Sequence, residues 1–589
     1  MAFAIALFDD PQARQELAAK WLSACQEVYG AGARQEMIDD DRLCATVGED
    51  GSLVRHGDGC LVISGRLDGA GAATLTGEES ASRTELVESW ARDGGKRLSR
   101  MAGSYSLAMY DQAAGRLGLA RDRFGTRPLF YLRQPSATFV STDLAPLVRM
   151  SPALEVDPGA LLLHVRFRFN VSHQHLLSSI RQVQSATMVS LDRQGGEVAE
   201  RYWEIPFDPA SNGSLDEWVR KTHQAFHEFF DTEGLTGEPA GILLSGGVDS
   251  AVIAGAAREC CSSVIGYVAR FGEGEAEEAR RAVAVADHLG IPCHVIDFDE
   301  SRIEGDLRRV VSALGEPPLH QNNLALLQLY ERAARDVGTV LQGDAAEMLF
   351  GLADSRRVPQ FARKRLLAER VLPRAPRAWA SRLLKRGDSS QAWRVARILG
   401  TDVSDWALGL DGIDYTPPVR RVAEGAWEEA GSPFPYAELL EAYPDFDDGL
   451  QAYQARTSLQ ASLDRHYRLS SLCGVRSIAP FVSEPLVGVA CRLPRSLRFL
   501  DTSRPVVKAL CDRIAHPDVS GWKKRGFEVP WRDRWLHGPL AGLLGGPTDY
   551  DGVREVLPPG FCDEAWRTLD PEALWLLMTL RISVREALA

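Results

Sequence analysis

Gly241-Ile242-Leu243-Leu244-Ser245-Gly246-Gly247-Val248-Asp249-Ser250-Ala251-Val252-Ile253-Ala254-Gly255-Ala256-Ala257 begins as an apolar run, turns through glycines and hydroxyls, and ends on small apolar residues. Gly241 to Leu244 reads as a buried strand, and Ala251 to Ala257 as a closely packed helix. The turn between them has the makeup of a phosphate-binding loop. Its glycines let the backbone approach a ligand, the following helix start presents N–H groups, and Ser245 and Ser250 add hydroxyl donors. A carboxylate beside a phosphate is repulsive unless a divalent cation lies between them, so Asp249 points to Mg²⁺. No Gly-Lys-Ser or Gly-Lys-Thr follows, so this is not a Walker loop.

Composition bounds the rest. A chain of 589 residues outgrows a single hydrophobic core, so at least two domains are expected. A net charge of −13 argues against nucleic acid as a partner of the whole surface. The ten cysteines form no Cys-x-x-Cys pair, which fits a reduced cytoplasm. Neither a signal peptide nor a bilayer-spanning apolar run is legible, although a membrane-surface association stays open.

From Leu61 onward, strands outnumber helices. Leu61 to Gly65, Ser104 to Tyr110 and Thr138 to Ser141 read as strands, Arg83 to Gly94 as a helix, and Asp111 to Gly115 as a hairpin turn. Stacked antiparallel sheets are expected. Asp208-Pro209-Ala210-Ser211-Asn212-Gly213 is a linker, and Ser214 with Glu217 forms a capping box for the next helix. The boundary falls near residue 210, giving domains 1–210 and 211–589. Beyond it, strands at Gly241, Ser263 to Phe271, His294 to Phe298 and Thr339 to Gln342 alternate with helices Ala276 to Leu289 and Leu324 to Ala334. That alternation predicts a parallel α/β sheet whose ligand lies beyond the carboxyl ends of its strands. The C-terminal third reads as helical, from Gly449 through Arg468 and from Glu484 to Arg492.

Ser245-Gly-Gly-Val-Asp-Ser250 resembles the pyrophosphate-binding loop of enzymes that cleave ATP to AMP and pyrophosphate. Ala102 to Ser106, with Ala120-Arg-Asp-Arg-Phe-Gly-Thr-Arg-Pro-Leu129, resembles the N-terminal glutaminase domain of the asparagine synthetases. The resemblance implies an N-terminal nucleophile-type αββα sandwich followed by an adenine nucleotide α-hydrolase-like α/β synthetase domain with a helical C-terminal part. That family's nucleophile is a cysteine directly after the initiator methionine, where this chain has Ala2, and Cys25 is far along the chain. A thiol must sit beside the free α-amine that serves as its base. An inactive glutaminase domain is therefore expected, with Arg121, Asp122 and Arg127 as an ion-pair cluster holding the hairpin.

Gly343-Asp344-Ala345-Ala346-Glu347-Met348-Leu349-Phe350-Gly351 is similar to the family's Gly-Glu-Gly-Ser-Asp-Glu-Leu-Phe-Gly. The resemblance implies Glu347 as the second Mg²⁺ ligand beside Asp249, and Leu244, Ser245, Gly246, Gly247, Ser250, Ala269, Gln342 and Gly343 around ATP. Met348 replaces the acid that follows the metal ligand in asparagine synthetases, which speaks against aspartate as substrate. Asp344 is a candidate base for the attacking amine, or equally a helix cap. Trp522-Lys-Lys-Arg-Gly-Phe-Glu-Val-Pro530 looks like the family's Lys-x-Gly-Phe-x-x-Pro loop. It makes Lys524 the lysine on substrate and leaving pyrophosphate, with Lys508 the weaker candidate. Arg356 to Arg397 is strongly basic, suited to an acidic peptide, a membrane surface or simply solvent.

A dead glutaminase domain on a working synthetase resembles the lasso-peptide macrolactam cyclases and the β-lactam synthetases. The resemblance implies a carboxylate adenylated by ATP and then captured by an amine of the substrate. The length and the basic insertion favour a cyclase acting on a precursor or core peptide, with a leader peptidase and a leader-recognition protein as partners. The alternatives are a β-lactam synthetase, another small-molecule amide synthetase, or a non-catalytic nucleotide- or peptide-binding protein.

Overall fold

The computed structural model describes residues 3–588 apart from 9–13, 30–33, 39–42, 48–50, 57–58, 69–89, 91–95, 152–154, 170–171, 210–211, 273–276, 319, 352–356, 385–389, 401–412, 414, 431–435, 499–502 and 523–534. The chain divides into two compact units. Met1–Asp157, Ser172–Pro206 and Gln460–Gly474 form the first, and Pro158–Val171, Phe207–Leu459 and Val475–Ala589 the second.

Two six-stranded antiparallel sheets build the first unit. One has β1 (Phe3–Phe8), β2 (Arg34–Ile38), β3 (Leu43–Val47), β8 (Phe130–Gln134), β9 (Ala137–Ser141) and β10 (Ile180–Gln182), in the order β10-β8-β9-β1-β3-β2. The other has β4 (Gly51–His56), β5 (Gly59–Asp68), β6 (Ala102–Asp111), β7 (Arg116–Arg121), β11 (Thr187–Asp192) and β12 (Glu197–Arg201), in the order β12-β11-β7-β6-β5-β4. Strand parity fixes which side chains meet. Phe3, Ile5 and Leu7 of β1 share one core with Cys60, Val62, Ala108, Tyr110, Leu117 and Leu119 of the second sheet. The alternate residues Leu61, Ile63, Leu107 and Met109 bury the opposite face of that sheet against Trp90 and Leu98. Helices α1 (Arg14–Tyr29) and α2 (Leu144–Met150) cover the first sheet, where the rings of Trp21 and Phe139 lie 5.1 Å apart. These are both sheets and one helical layer of the expected αββα sandwich. The strands before Leu61 are not legible from polarity, because β1 alternates large with small apolar residues and buries both faces.

The expected ion-pair cluster at the hairpin takes a different form. Arg121, fully buried, donates to the carbonyls of Gly125 (2.6 Å), Arg127 (2.6 Å) and Val183 (2.9 Å), and its ionic partner is Asp464 at 2.6 Å. Asp122 instead accepts from the backbone N–H groups of Tyr105, Phe124 and Thr126 and from the Thr126 hydroxyl. Burial raises its carboxyl above the usual range, and the Thr126 hydrogen bonds oppose that rise. Arg127 reaches the Ser64 hydroxyl at 3.0 Å. Arg121 and Asp122 thus spend most of their hydrogen bonds on turn backbone groups, and the acid that pairs with Arg121 is Asp464.

The second unit is wound about a five-stranded, wholly parallel sheet. Its strands are β13 (Pro239–Leu243), β14 (Ser263–Arg270), β15 (Cys293–Asp297), β16 (Thr339–Leu341) and β17 (Arg476–Ile478), in the order β15-β14-β13-β16-β17. Helices α3 (Leu215–Thr232), α4 (Val248–Cys260), α5 (Glu277–Leu289) and α6 (Asn323–Ala333) precede or connect these strands. Ser214 caps α3 by accepting from Glu217 N–H at 3.2 Å, while the Glu217 carboxylate pairs with Lys221 at 2.7 Å. The Glu217 carboxylate also accepts from the Ser214 backbone N–H, so both halves of the capping box are formed.

β17 falls in a stretch read from sequence as part of a helical third. It pairs with β16 from Thr339↔Arg476 to Leu341↔Ile478, and three residues carry too little periodicity to announce a strand. The helix expected from Gly449 through Arg468 is two, α11 (Phe446–Arg456) and α12 (Ser458–Leu472), parted at Thr457, whose hydroxyl donates to Tyr453 O at 2.9 Å. Between the sheet and these helices come α7 (Ala346–Phe350) and a helical insertion, α8 (Arg357–Val371), α9 (Arg374–Leu384) and α10 (Ser390–Gly400). After them come α13 (Glu484–Arg492) and α14 (Pro505–Ile514), the latter packed on α3 and α4. Of the helix expected over Arg83 to Gly94, Trp90 alone lies within the described residues. No described helix is long and apolar enough to cross a membrane.

Candidate active site

The chain runs outward from β13 through β14 to β15, then returns to the other side of β13 for β16. The crevice between β13 and β16 is thus the topological switch point, where a parallel sheet receives ligands at its carboxyl edge. The Ser245–Ser250 turn follows β13, and Gly343–Glu347 follows β16.

Backbone and hydroxyl bonds shape the first turn. Ser250 Oγ accepts from Ser245 N–H at 3.1 Å and donates to Gly247 O at 3.2 Å, and the two serine hydroxyls are 3.1 Å apart. Gly246 has φ +67°, and a Cβ there would lie 2.5 Å from Arg281 Cβ, so glycine is demanded by both conformation and space. Gly247 starts α4 in extended conformation with no side-chain cap, and Asp249 stands in the first helical turn.

The second turn leans on the first. A Cβ on Gly343 would lie 3.1 Å from Asp249 Cβ and 3.4 Å from Ser250 N. Gln342 is buried, donates its N–H to Ile478 O at 2.9 Å, and accepts the Asp344 N–H on Oε1 at 2.6 Å. Of the two roles open to Asp344, the cap of α7 falls instead to Ala345, whose φ of +75° is left-handed. Glu347 is half-buried in the first turn of α7. Leu244 and Ala269 lie at the carboxyl ends of β13 and β14, both buried, with Leu244 N–H on Tyr267 O at 2.9 Å.

Arg504 is a member of this site that sequence reading missed. It precedes α14 in a left-handed conformation, φ +53° and ψ +52°, with its side chain buried, and pairs with Asp249. A Cβ on Gly351, at the end of α7, would come within 3.1 Å of Arg504 N. Arg504 held left-handed beside the Asp249 carboxylate, like Ala345 in the turn after β16, is the kind of strain, ~1–3 kcal/mol each, that concentrates at functional sites. The signal in sequence was slight: Pro505 announces a helix start, but nothing local says that Arg504 reaches Asp249. Lys508 is half-buried in the first turn of α14. Lys524 lies outside the described residues.

In kind, the donors fit Mg²⁺: Asp249 and Glu347 offer hard carboxylate oxygens from helices that follow adjacent strands. Asp249 would share its carboxylate between the ion and Arg504.

A family model for asparagine synthase matches residues 230–584, which contain the whole parallel sheet and both turns. The chain belongs to the asparagine synthase family. Its chemistry is ATP-dependent amide-bond formation of the asparagine synthetase kind. A glutamine amidotransferase domain model matches residues 73–203. Among its relatives is asparagine synthetase [glutamine-hydrolyzing] 1 of Bacillus subtilis, 24% identical over 74% of this chain and 69% of that protein. A putative asparagine synthetase of Mycobacterium bovis is 24% identical over 80% of this chain and 71% of its own. Amidase chry2 of Gibberella zeae is 23% identical over 44% and 41%. Among solved structures, the allosteric regulatory enzyme of purine biosynthesis aligns with 50% of this chain and 80% of its own at 12% identity and a TM-score of 0.24, too low to bear on the assignment.

The N-terminal thiols of the glutaminase-like unit are held in forms unsuited to attack. Cys25 on α1, Cys44 on β3 and Cys60 on β5 are all buried. Burial pushes Cys44 and Cys60 up to about 12 and Cys25 higher still, so none supplies a thiolate near neutral pH. The purified chain should therefore release no glutamate from glutamine above a no-enzyme control; steady release that disappears on alkylation of cysteine would contradict this.

Proposed function

We propose that this family member adenylates a carboxylate of a peptide and closes it onto the peptide's own N-terminal amine, as a lasso-peptide macrolactam cyclase does. The carboxylate oxygen attacks the α-phosphorus of ATP, and pyrophosphate leaves. The amine nitrogen then attacks the acyl carbon, AMP leaves with the original carboxylate oxygen, and a base takes the amine proton. The Ser245–Ser250 turn and the α4 start hold the phosphates, Gln342 and Gly343 line the crevice, and Lys524 neutralises charge gathering on the α-phosphate. Mg²⁺ on Asp249 and Glu347 would supply further charge neutralisation. Asp344, at the mouth of the second turn, is the candidate base.

The observation that carries the peptide reading is the insertion after Gly351. On α8, Leu366, Leu367 and Val371 are 56%, 63% and 70% exposed, and on α9 Trp379 and Leu383 are 67% and 51% exposed. Arg363, Lys364, Arg370 and Arg382 are exposed among them. A purely solvated basic face would not display this much apolar surface. Mixed apolar and cationic side chains suit an acidic, partly apolar peptide. Met348 adds to this: it packs against Leu439, Leu440, Leu450 and Tyr453, an apolar setting unlike one that would orient free aspartate.

The test uses leader-free peptides with a free α-amine and an Asp or Glu a few residues in, incubated with ATP and Mg²⁺. A product lighter by one water, with one AMP per ring, is expected, and Trp379→Glu should raise KM for the peptide more than it lowers kcat. Turnover confined to acidic small molecules would favour a β-lactam-type synthetase, and turnover requiring added ammonia would favour plain amidation. ATP binding without any AMP formation would leave only a binding protein.

A further inference from the structure

Away from the switch point, the far end of α4 meets α3 in a cluster that the synthetase chemistry does not use. His223 and His227 stand one helical turn apart on α3, so both rings project from one face, and Glu259 reaches them from the last turn of α4. Three donor atoms converge there: Glu259 Oε2 lies 2.6 Å from His223 Nε2 and 3.0 Å from His227 Nε2, and the two Nε2 atoms are 3.3 Å apart. A triangle with those sides has a circumradius of about 1.7 Å, so an ion at the usual ~2.1 Å from each donor would sit about 1.2 Å out of their plane. Ligands of a tetrahedral ion at that distance lie ~3.4 Å apart, so the His pair is already nearly in place and Glu259 must draw back from His223 by about 0.8 Å.

The surroundings agree with that geometry. Metal on Nε2 requires the proton of His227 on Nδ1, and Nδ1 faces Cys260 Sγ at 3.2 Å, a sulfur able to accept from it. All three ligands are part-exposed, between 33% and 44%, which leaves an outward position for water. Two imidazoles and a carboxylate select Zn²⁺ or a neighbouring transition ion over Mg²⁺.

We propose that His223, His227 and Glu259 bind one Zn²⁺, with water completing the site and Cys260 orienting His227. From Asp249 to Glu259 along α4 is roughly 15 Å at 1.5 Å per residue, so this ion does not touch the nucleotide. It clamps α3 to the tail of the helix whose head carries the phosphate-binding turn.

Co²⁺ is the probe, added to full-length protein stripped with chelator. One equivalent should bind with the intense visible absorption of four- or five-coordination, and Zn²⁺ should displace it and raise Tm. The double variant His223→Gln/His227→Gln should bind more weakly by beyond the ~100-fold that loss of an outer-shell partner alone can cost, and should lose the Tm response. Asp249→Asn should keep both, which separates this site from the nucleotide site. Glu259→Gln guards against misfolding of the double variant and should weaken Co²⁺ binding in the same direction. Absence of one-to-one binding in the wild type, or equal binding by the histidine variant, would overturn the proposal.

Discussion

Asp249→Asn should reduce ATP–pyrophosphate exchange at least ~100-fold, because it removes a ligand of the Mg²⁺ that would neutralise the phosphates, and loss of one such charge stabiliser costs about 3 kcal/mol or more in the transition state. The substitution keeps the shape of the side chain and removes its charge. It also strips the buried guanidinium of Arg504 of its ionic partner, and breaking such a pair costs roughly 3–5 kcal/mol of stability. Two effects therefore arise from one change, and they separate experimentally. Urea unfolding reads the second. Glu347→Gln, at the start of α7, reads the first while leaving both members of the Asp249–Arg504 pair in place. Exchange should fall in both variants, while the unfolding midpoint should fall chiefly in Asp249→Asn. Exchange at the wild-type rate in a folded Glu347→Gln enzyme would take Glu347 out of the metal site.

Lys524→Ala carries the second large effect, a loss of about 3 kcal/mol or at least roughly a hundredfold in rate, if its ammonium meets the developing charge on the α-phosphate. Both half-reactions should be lost together, since no acyl-adenylate would form for the amine to attack. Pyrophosphate exchange reads the first half-reaction and loss of water from the peptide reads the second. Normal exchange with ring closure alone abolished would move Lys524 to the amine step. Wild-type rates in both would leave Lys508 or Lys523 as the cation.

What could be seen in advance divides along physical lines. The Ser245–Ser250 turn was legible because its glycines, hydroxyls and carboxylate are contiguous, and its flanks state their own secondary structure. A ligand beyond the carboxyl ends of a parallel sheet followed once strands and helices alternated, whereas the switch point between β13 and β16 needed the strand order. Arg504 was invisible because its meaning lies in a partner 255 residues away, and Asp464 as the counter-ion of Arg121 for the same reason at a separation of 343. β17 was lost to its brevity. Ala345, an alanine held left-handed at a helix start, gives no sequence signal at all, since a glycine or asparagine would be expected there. The basic run after Gly351 was legible as charge, yet the exposed Leu367, Val371 and Trp379 that give that face its character could be assigned to surface or core only from the fold.

In the proposed reaction the peptide's carboxylate attacks the α-phosphorus of ATP, and not the γ-phosphorus. Its most direct test is the fate of a heavy-oxygen label placed in the side-chain carboxylate of a leader-free acidic peptide. Adenylation followed by amine capture sends one labelled oxygen into AMP for each ring closed. Label appearing in inorganic phosphate instead, or rings forming with unlabelled AMP, would contradict it.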